Sequence, residues 1–133
     1  MKKPVIISAA VMLICVICLS GCSKYISKYN AVGFVHSNDY SSAFMNFQSF
    51  EGTIVYTLNP GNDSEGELKY SGKLETGNAT VYYDCDGTKK ELFSISSDGE
   101  VDSSIPDPGN KTVYVIVETD GKCENGDFKF ELD

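Results

Sequence analysis

The feature that most constrains this chain is an alternation of apolar and polar residues that recurs from about residue 42 to the C-terminus. In residues 68–75 every second side chain is apolar or absent, and its neighbours are charged or small and polar. The same alternation occurs in residues 54–58, 79–85 and 128–132. A period of two places successive side chains on opposite faces of an extended strand. These segments are therefore predicted to be half-buried β-strands.

Turn residues separate the predicted strands. They form the clusters Asn59-Pro60-Gly61-Asn62, Gly77-Asn78, Asp86-Gly87 and Asp120-Gly121. Residues 112–119 are almost continuously β-branched or aromatic, which predicts a central strand that is covered on both faces. Residues 96–110 are rich in Ser, Asp, Gly and Pro and are predicted to be a loop. Residues 44–47 fit either a strand or one helical turn.

The chain after residue 21 never sustains a helical period for three turns. Short strands with regularly spaced turns are typical of sandwiches and barrels. We therefore predict an all-β domain over residues 42–133, folded as a single antiparallel β-sandwich of a jelly-roll-like kind with about seven or eight strands.

The N-terminus has the features of a secretory signal. Lys2 and Lys3 precede an uncharged apolar run over residues 5–19, which is short for a membrane span of roughly 20 residues. The run ends in Leu19-Ser20-Gly21-Cys22. Residues 1–21 are therefore predicted to be a signal peptide.

Leu19-Ser20-Gly21-Cys22 resembles the lipobox of bacterial lipoproteins. The resemblance implies cleavage before Cys22 and a diacylglyceryl group on its thiol, so that two acyl chains hold the protein at the cell membrane, facing outside the cytoplasm. The alternatives are an ordinary signal peptide and an uncleaved anchor in which the Cys is incidental. Residues 22–41 are predicted to be the lipidated N-terminus and a flexible tether, which includes His36.

The charge of the chain excludes one class of partner. Its formal net charge is −8 at pH 7, and it becomes more negative when Lys2 and Lys3 leave with the signal. Such a surface repels nucleic acid, so no nucleic-acid partner is expected. Once the signal is removed and Cys22 is lipidated, two thiols remain, those of Cys85 and Cys123. Because disulfides form and persist outside the cytoplasm, we predict a disulfide between these two cysteines. The alternative is two separate buried thiols.

Catalysis has little support in the residues. A Ser or Cys nucleophile usually needs a histidine base, and the single His36 lies in the predicted tether. The carboxylates lie mostly in predicted turns and on outward strand positions, so the chain is not expected to be an enzyme. Four aspartates are close together in two predicted loops and are candidate calcium ligands, although Asp-Gly is also typical of a hairpin turn. They are Asp84, Asp86, Asp98 and Asp102. No other cofactor is expected.

Two tyrosines are candidate binding residues. Tyr82 is predicted to be exposed, and Tyr114 is expected on the same face. Exposed tyrosines on a sheet can contact a glycan or a protein partner. The alternative is that the two rings pack against neighbouring strands.

The hydrophobic and turn positions of residues 43–133 are similar to those of small secreted β-sandwich modules of the pre-peptidase C-terminal type. The matching positions are Phe47-x-x-Phe50-x-Gly52, Leu74-x-x-Gly77-x-x-x-Val81, Asp84-x-Asp86-Gly87, Val113-Tyr114-Val115-Ile116-Val117 and Gly126-x-Phe128. This resemblance implies a non-catalytic module that binds, spaces or targets. The expected function is thus a membrane-anchored binding or interaction module. The alternative is an inhibitor or immunity-type lipoprotein that acts on a basic secreted enzyme or toxin.

Overall fold

The structure is a computed structural model, and it describes residues 25–61, 66–106 and 111–133. Within these ranges the regular structure consists of strands that pair antiparallel, and no helix there could cross a membrane. The strands are β1 (Lys28–Val32), β2 (Val35–Asn38), β3 (Ser42–Leu58), β4 (Glu67–Thr76), β5 (Ala79–Asp84), β6 (Lys90–Ile95), β7 (Gly99–Pro106), β8 (Val113–Thr119) and β9 (Cys123–Leu132). The predicted all-β antiparallel sandwich is confirmed.

Strand β3 connects the two layers of the sandwich. It is 17 residues long, and the hydrogen-bonded order of strands around it is β6-β5-β8-β3-β9-β4-β7. Residues 42–50 pair with β9, whereas residues 53–58 pair with β8. The other edge of β3 pairs with β1 and β2. Thr53, for example, lies between Lys28 of β1 and Glu118 of β8.

The sheet is folded in half across the middle of β3. The front sheet consists of residues 42–50, β9, β4 and β7, and the back sheet consists of residues 53–58, β8, β5 and β6. At the fold, which we call the upper end, four connections cross between the sheets, and each contains one residue with a positive φ. They are Gly52, Gly77, Asp98 and Gly121.

Gly52 shows why glycine is needed at the fold. Its φ is 132°, a conformation that side chains disfavour. A Cβ added there would lie 2.3 Å from the carbonyl oxygen of Lys28. The absent side chain therefore lets β1 lie against β3 at the point where β3 passes from one sheet to the other.

Aromatic rings from both sheets meet in the core. Phe93 of the back sheet stacks on Tyr70 of the front sheet, with ring centroids 5.1 Å apart and an interplanar angle of 8°. Phe93 also lies 6.2 Å from the ring of Phe128, and Tyr56 lies 6.5 Å from the ring of Phe130. Each such buried ring contributes about 1.5–3 kcal/mol of hydrophobic stabilisation. These contacts hold the two halves of the sheet together.

Strands β1 and β2 pair along the second edge of β3 and cover that side of the sandwich. The ring of Tyr29 stacks on Phe50 at a centroid distance of 5.0 Å. Phe34 packs edge-on to Phe50 and stacks on His36 at 4.3 Å. His36 Nδ1 lies 3.4 Å from the hydroxyl of the buried Tyr56. His36 is therefore a packing residue of the domain.

The two ends of β3 come together at the opposite, lower end of the sandwich. The side-chain amide of Asn38 donates to the carbonyl of Thr57 at 2.8 Å, and its oxygen accepts the Thr57 N–H at 2.9 Å. Nearby, the Asn59 N–H donates to the carbonyl of Tyr40 at 2.7 Å. These bonds satisfy backbone groups that the edge of the back sheet would otherwise expose.

Two predictions about the chain outside the main strands are wrong. The predicted tether, residues 22–41, contains β1 and β2, whose backbone groups pair with β3. The predicted loop at residues 96–110 contains β7, which pairs with β4 over its whole length. Both segments form edges of the sheet, and none of the residues of β1, β2 and β7 is fully buried, so the alternation that marks a half-buried strand is weak there.

Candidate functional site

The outer face of the front sheet carries a cleft of about 430 Å³. Its central row crosses four strands, because Phe44 of β3 pairs with Lys129 of β9, Lys129 pairs with Ser71 of β4, and Ser71 pairs with Asp102 of β7. Residues paired directly across antiparallel strands have side chains on the same face. Register alone therefore brings an aromatic ring, an ammonium, a hydroxyl and a carboxylate together.

A second row of polar residues borders the first. Ser42 pairs with Glu131, and Glu131 pairs with Lys69. Lys69 also forms an ion pair with Asp133, with 3.2 Å between Nζ and Oδ2. This hydrogen bond and the charge of Asp133 raise the pKa of the Lys69 ammonium. The lysine is thus held in its charged form at the edge of the cleft.

Phe44 is the residue that gives the cleft an apolar surface. It is half-buried and alternates with Ala43 and Met45, which are buried in the core. Its ring therefore points away from the core and toward the cleft. An aromatic surface with hydrogen-bonding groups around it fits a ligand with one apolar face and a polar rim.

The outer face of the back sheet carries the two tyrosines predicted from the sequence. Tyr82 pairs with Ile116, and Asp84 pairs with Tyr114, so that Tyr82 and Tyr114 share this face. The ammonium of Lys89 lies 4.3 Å from the ring centroid of Tyr82. Both rings thus have neighbours within the chain, because Tyr114 in turn packs against the N-terminal segment.

Tyr25 holds the N-terminal segment on the back sheet. Its ring centroid lies 6.0 Å from that of Tyr114, and its hydroxyl donates a hydrogen bond to Asp84. Burial and the carboxylate of Asp84 raise the pKa of the Tyr25 phenol. Beside it, Ser27 Oγ accepts the Val55 N–H at 2.9 Å. Tyr25 was missed in the sequence because its partners lie far away along the chain.

The four candidate calcium ligands lie in three separate places, and only Asp84 and Asp86 share a turn. Asp84 is buried and accepts hydrogen bonds from the N–H groups of Asp86 and Gly87 at 3.2 and 2.7 Å. Asp98 lies at the upper end, and Asp102 lies in the cleft. In the parts of the chain that are described, no three His, Cys, Asp or Glu side chains come together as metal ligands. Asp84 instead closes the β5–β6 turn.

The predicted disulfide between Cys85 and Cys123 is wrong, because both thiols are free. Cys123 Sγ contacts the Asn78 carbonyl at 3.3 Å, just before β5 begins, whereas Cys85 follows the last residue of β5. The seven residue steps from Asn78 to Cys85 span about 23 Å, and a disulfide requires Cα atoms within about 7 Å. Burial raises the pKa of both thiols. The predicted lipidation site, Cys22, lies outside the described residues.

The cleft residues were missed in the sequence, although one signal for them was present. Lys69, Ser71 and Lys129 occupy the polar positions of alternating strands, and within one strand such positions indicate only a solvated face. Their combination with Phe44 and Asp102 depends on strand order. Strand order cannot be read from the alternation within one strand.

The described residues thus define an antiparallel β-sandwich domain with a polar cleft on one sheet. No family model and no curated protein matches the chain. Among solved structures, a mutant family 29 carbohydrate-binding module is similar at 19% identity over 80% of this chain and 78% of that chain, with a TM-score of 0.38. A family 61 carbohydrate-binding module in complex with β-1,4-galactotriose has 11% identity over 80% and 84% of the two chains, with a TM-score of 0.40.

A cupin superfamily protein from Desulfitobacterium hafniense is also similar, at 13% identity over 87% of this chain and 85% of that chain, with a TM-score of 0.34. At this level of identity and TM-score, these likenesses carry no inference about the function of this chain.

Proposed function

We propose that this chain is a lipid-anchored, non-catalytic binding module on the outer surface of the cell membrane, and that the cleft of the front sheet is its binding site. The signal-like residues 1–21 and Cys22 support the anchor. The observation that carries the binding role is the row Phe44, Lys129, Ser71 and Asp102, which presents four different chemical groups on one rigid sheet.

The chemistry of the cleft favours a glycan as the ligand. A sugar ring has an apolar face of C–H groups, which can lie on an aromatic ring such as Phe44. Its hydroxyls both donate and accept hydrogen bonds, and the cleft offers donors and acceptors in alternation. Because cationic and anionic groups alternate there, the cleft does not select strongly for either sign of charge.

The anchor is tested with Cys22→Ala. Wild-type protein is expected to partition into detergent, because two acyl chains supply a stable membrane attachment. The variant is expected to be released from the membrane or to remain unprocessed, as judged by detergent-phase partitioning and by its mass. Partitioning of the variant like the wild type would contradict the anchor.

The binding site is tested by titrating the purified chain with soluble oligosaccharides of glucose, mannose, galactose and N-acetylglucosamine in a calorimeter. Phe44→Ala is expected to weaken binding at least about tenfold, which corresponds to about 1.4 kcal/mol. Tyr82→Ala removes an aromatic ring from the opposite face and serves as the matched control, which should bind like the wild type.

Two results would contradict the glycan site. The first is that none of the oligosaccharides binds, and the second is that both variants lose binding equally. Retention instead of a basic protein partner, with release at high salt, would support the alternative of an inhibitor or immunity-type lipoprotein, because surface charge attraction is screened by salt.

A further inference from the structure

The first described segment, which starts at Tyr25, is bound to the back sheet. The hydroxyl of Tyr25 binds Asp84, and the ring of Tyr25 packs against Tyr114. Ser27 accepts a backbone N–H of β3 two residues later. The chain therefore leaves the domain at a defined place, at the lower end of the back sheet.

The proposed lipid anchor is very close to this place. Only Ser23 and Lys24 separate Cys22 from Tyr25. Three residue steps of extended chain reach at most about 11 Å, whereas the headgroup layer of a bilayer is itself roughly 5–8 Å thick. Residues 28–38, which the sequence suggested as a tether, belong to the domain and add no reach. The lower end is therefore held at the membrane surface.

Large apolar side chains are exposed at this lower end. Ile26 is 75% exposed, Tyr40 is 67% exposed and Tyr114 is 39% exposed. Tyr40 belongs here because its carbonyl accepts the N–H of Asn59, whose side chain accepts the hydroxyl hydrogen of Thr112. Tyrosine is well suited to the interface between lipid and water, because its ring is apolar and its hydroxyl is polar.

The upper end has a different surface. The turns at residues 77–78, 96–98 and 120–122 expose polar or charged side chains, which include Ser97, Asp98, Asp120 and Lys122. The exposed apolar side chains nearest to this end are those of Tyr29, opposite Gly52, and Val32, opposite Ser49, and both lie on β1. The net charge of −8 disfavours attraction to anionic lipid, so contact with the membrane must come from apolar side chains.

We propose that the lower end of the sandwich rests on the membrane that carries the lipid anchor, with Ile26, Tyr40 and Tyr114 in the headgroup region. This inference rests on the proposed lipidation of Cys22. The strands then run away from the membrane, and the opening of the front-sheet cleft faces along the membrane surface rather than toward it. The apolar lower end thus contacts the lipid surface itself.

Tryptophan fluorescence tests this orientation, because the chain contains no Trp. Ile26→Trp and Tyr40→Trp place single probes at the lower end, and Lys122→Trp places a matched control at the upper end. The lipidated proteins are reconstituted into phosphatidylcholine vesicles that contain a nitroxide-labelled lipid. Quenching of the two lower-end probes is expected to exceed that of the control by about threefold or more, since an interfacial side chain lies about 5–10 Å into the headgroup boundary.

Two outcomes would overturn the proposal, and they can be told apart. If the proteins sediment with the vesicles but all three probes are quenched equally, or the lower-end probes are not quenched, the domain does not rest on lipid, although the anchor is intact. If the proteins do not sediment with the vesicles at all, the lipid anchor and the orientation that rests on it both fail. Using two lower-end probes guards against one substitution that disturbs folding.

Discussion

The carboxylate of Asp84 is 2% exposed and is satisfied by two backbone N–H groups and the hydroxyl of Tyr25. From the sequence, Asp84-x-Asp86-Gly87 was a candidate calcium loop, because a cation and a tight turn both require oxygen atoms at this spacing. The decisive partner, Tyr25, is 59 residues away. Local spacing alone could not distinguish the two roles.

Alkaline pH is expected to destabilise the domain through Tyr56. Burial raises the pKa of its phenol well above the usual 10.0, and the neighbouring Tyr29 adds to the shift. Above that usual value the unfolded chain loses this proton while the folded domain keeps it, so the free energy of unfolding falls as the pH rises. Below it the stabilisation is fully present. Urea unfolding from neutral pH to about pH 11, followed by circular dichroism, measures the loss.

Tyr56→Phe is expected to remove part of this pH dependence. At neutral pH it should cost less than about 1 kcal/mol, because the contact of the hydroxyl with His36 Nδ1 is long, at 3.4 Å. The matched control is Tyr82→Phe, at a half-exposed position, which should keep the wild-type profile. Parallel profiles of Tyr56→Phe and the wild type at every pH would show that Tyr56 is not responsible.

At the scale of the elements, β3 explains why residues 44–47 were ambiguous in the sequence. The buried side chains of β3 are Ala43, Met45 and Phe47 before Gln48, but Phe50, Ile54, Tyr56 and Leu58 after it. The inward positions thus change from odd to even numbers. The change occurs where the pairing with β9 skips Gln48, before β3 reaches Gly52. A period of two cannot be followed through such an irregularity.

Gly52→Ala is expected to destabilise the domain by about 3 kcal/mol or more, because it combines a strained φ with a clash against the backbone of β1. Gly61→Ala is the matched control, since an added Cβ at Gly61 has no neighbour within 4 Å. It should change stability by no more than about 0.5 kcal/mol. Thermal unfolding of both variants measures the difference. Equal melting temperatures would show that the fold at β3 tolerates a side chain.

For the whole molecule, alternation and turn residues were enough to predict the fold class and the segments that became the second half of β3, β4, β5, β8 and the end of β9. The strands β1, β2 and β7 were missed, because none of their residues is fully buried and the sequence pattern of such strands is weak. The cleft was missed for a different reason. It combines side chains from four strands, and their adjacency is determined by the folding of the whole sheet.

The pairing of the first strands with the last ones has a consequence for how the domain comes into being. Lys28 pairs with Thr53, Thr53 with Glu118, and Ser42 with Glu131. A polypeptide delivered amino-terminus first therefore cannot complete its folding until the ten residues of β9 have arrived. Until then one edge of β3 stays unsatisfied and able to bind foreign strands, so rapid and complete delivery protects the nascent protein from aggregation.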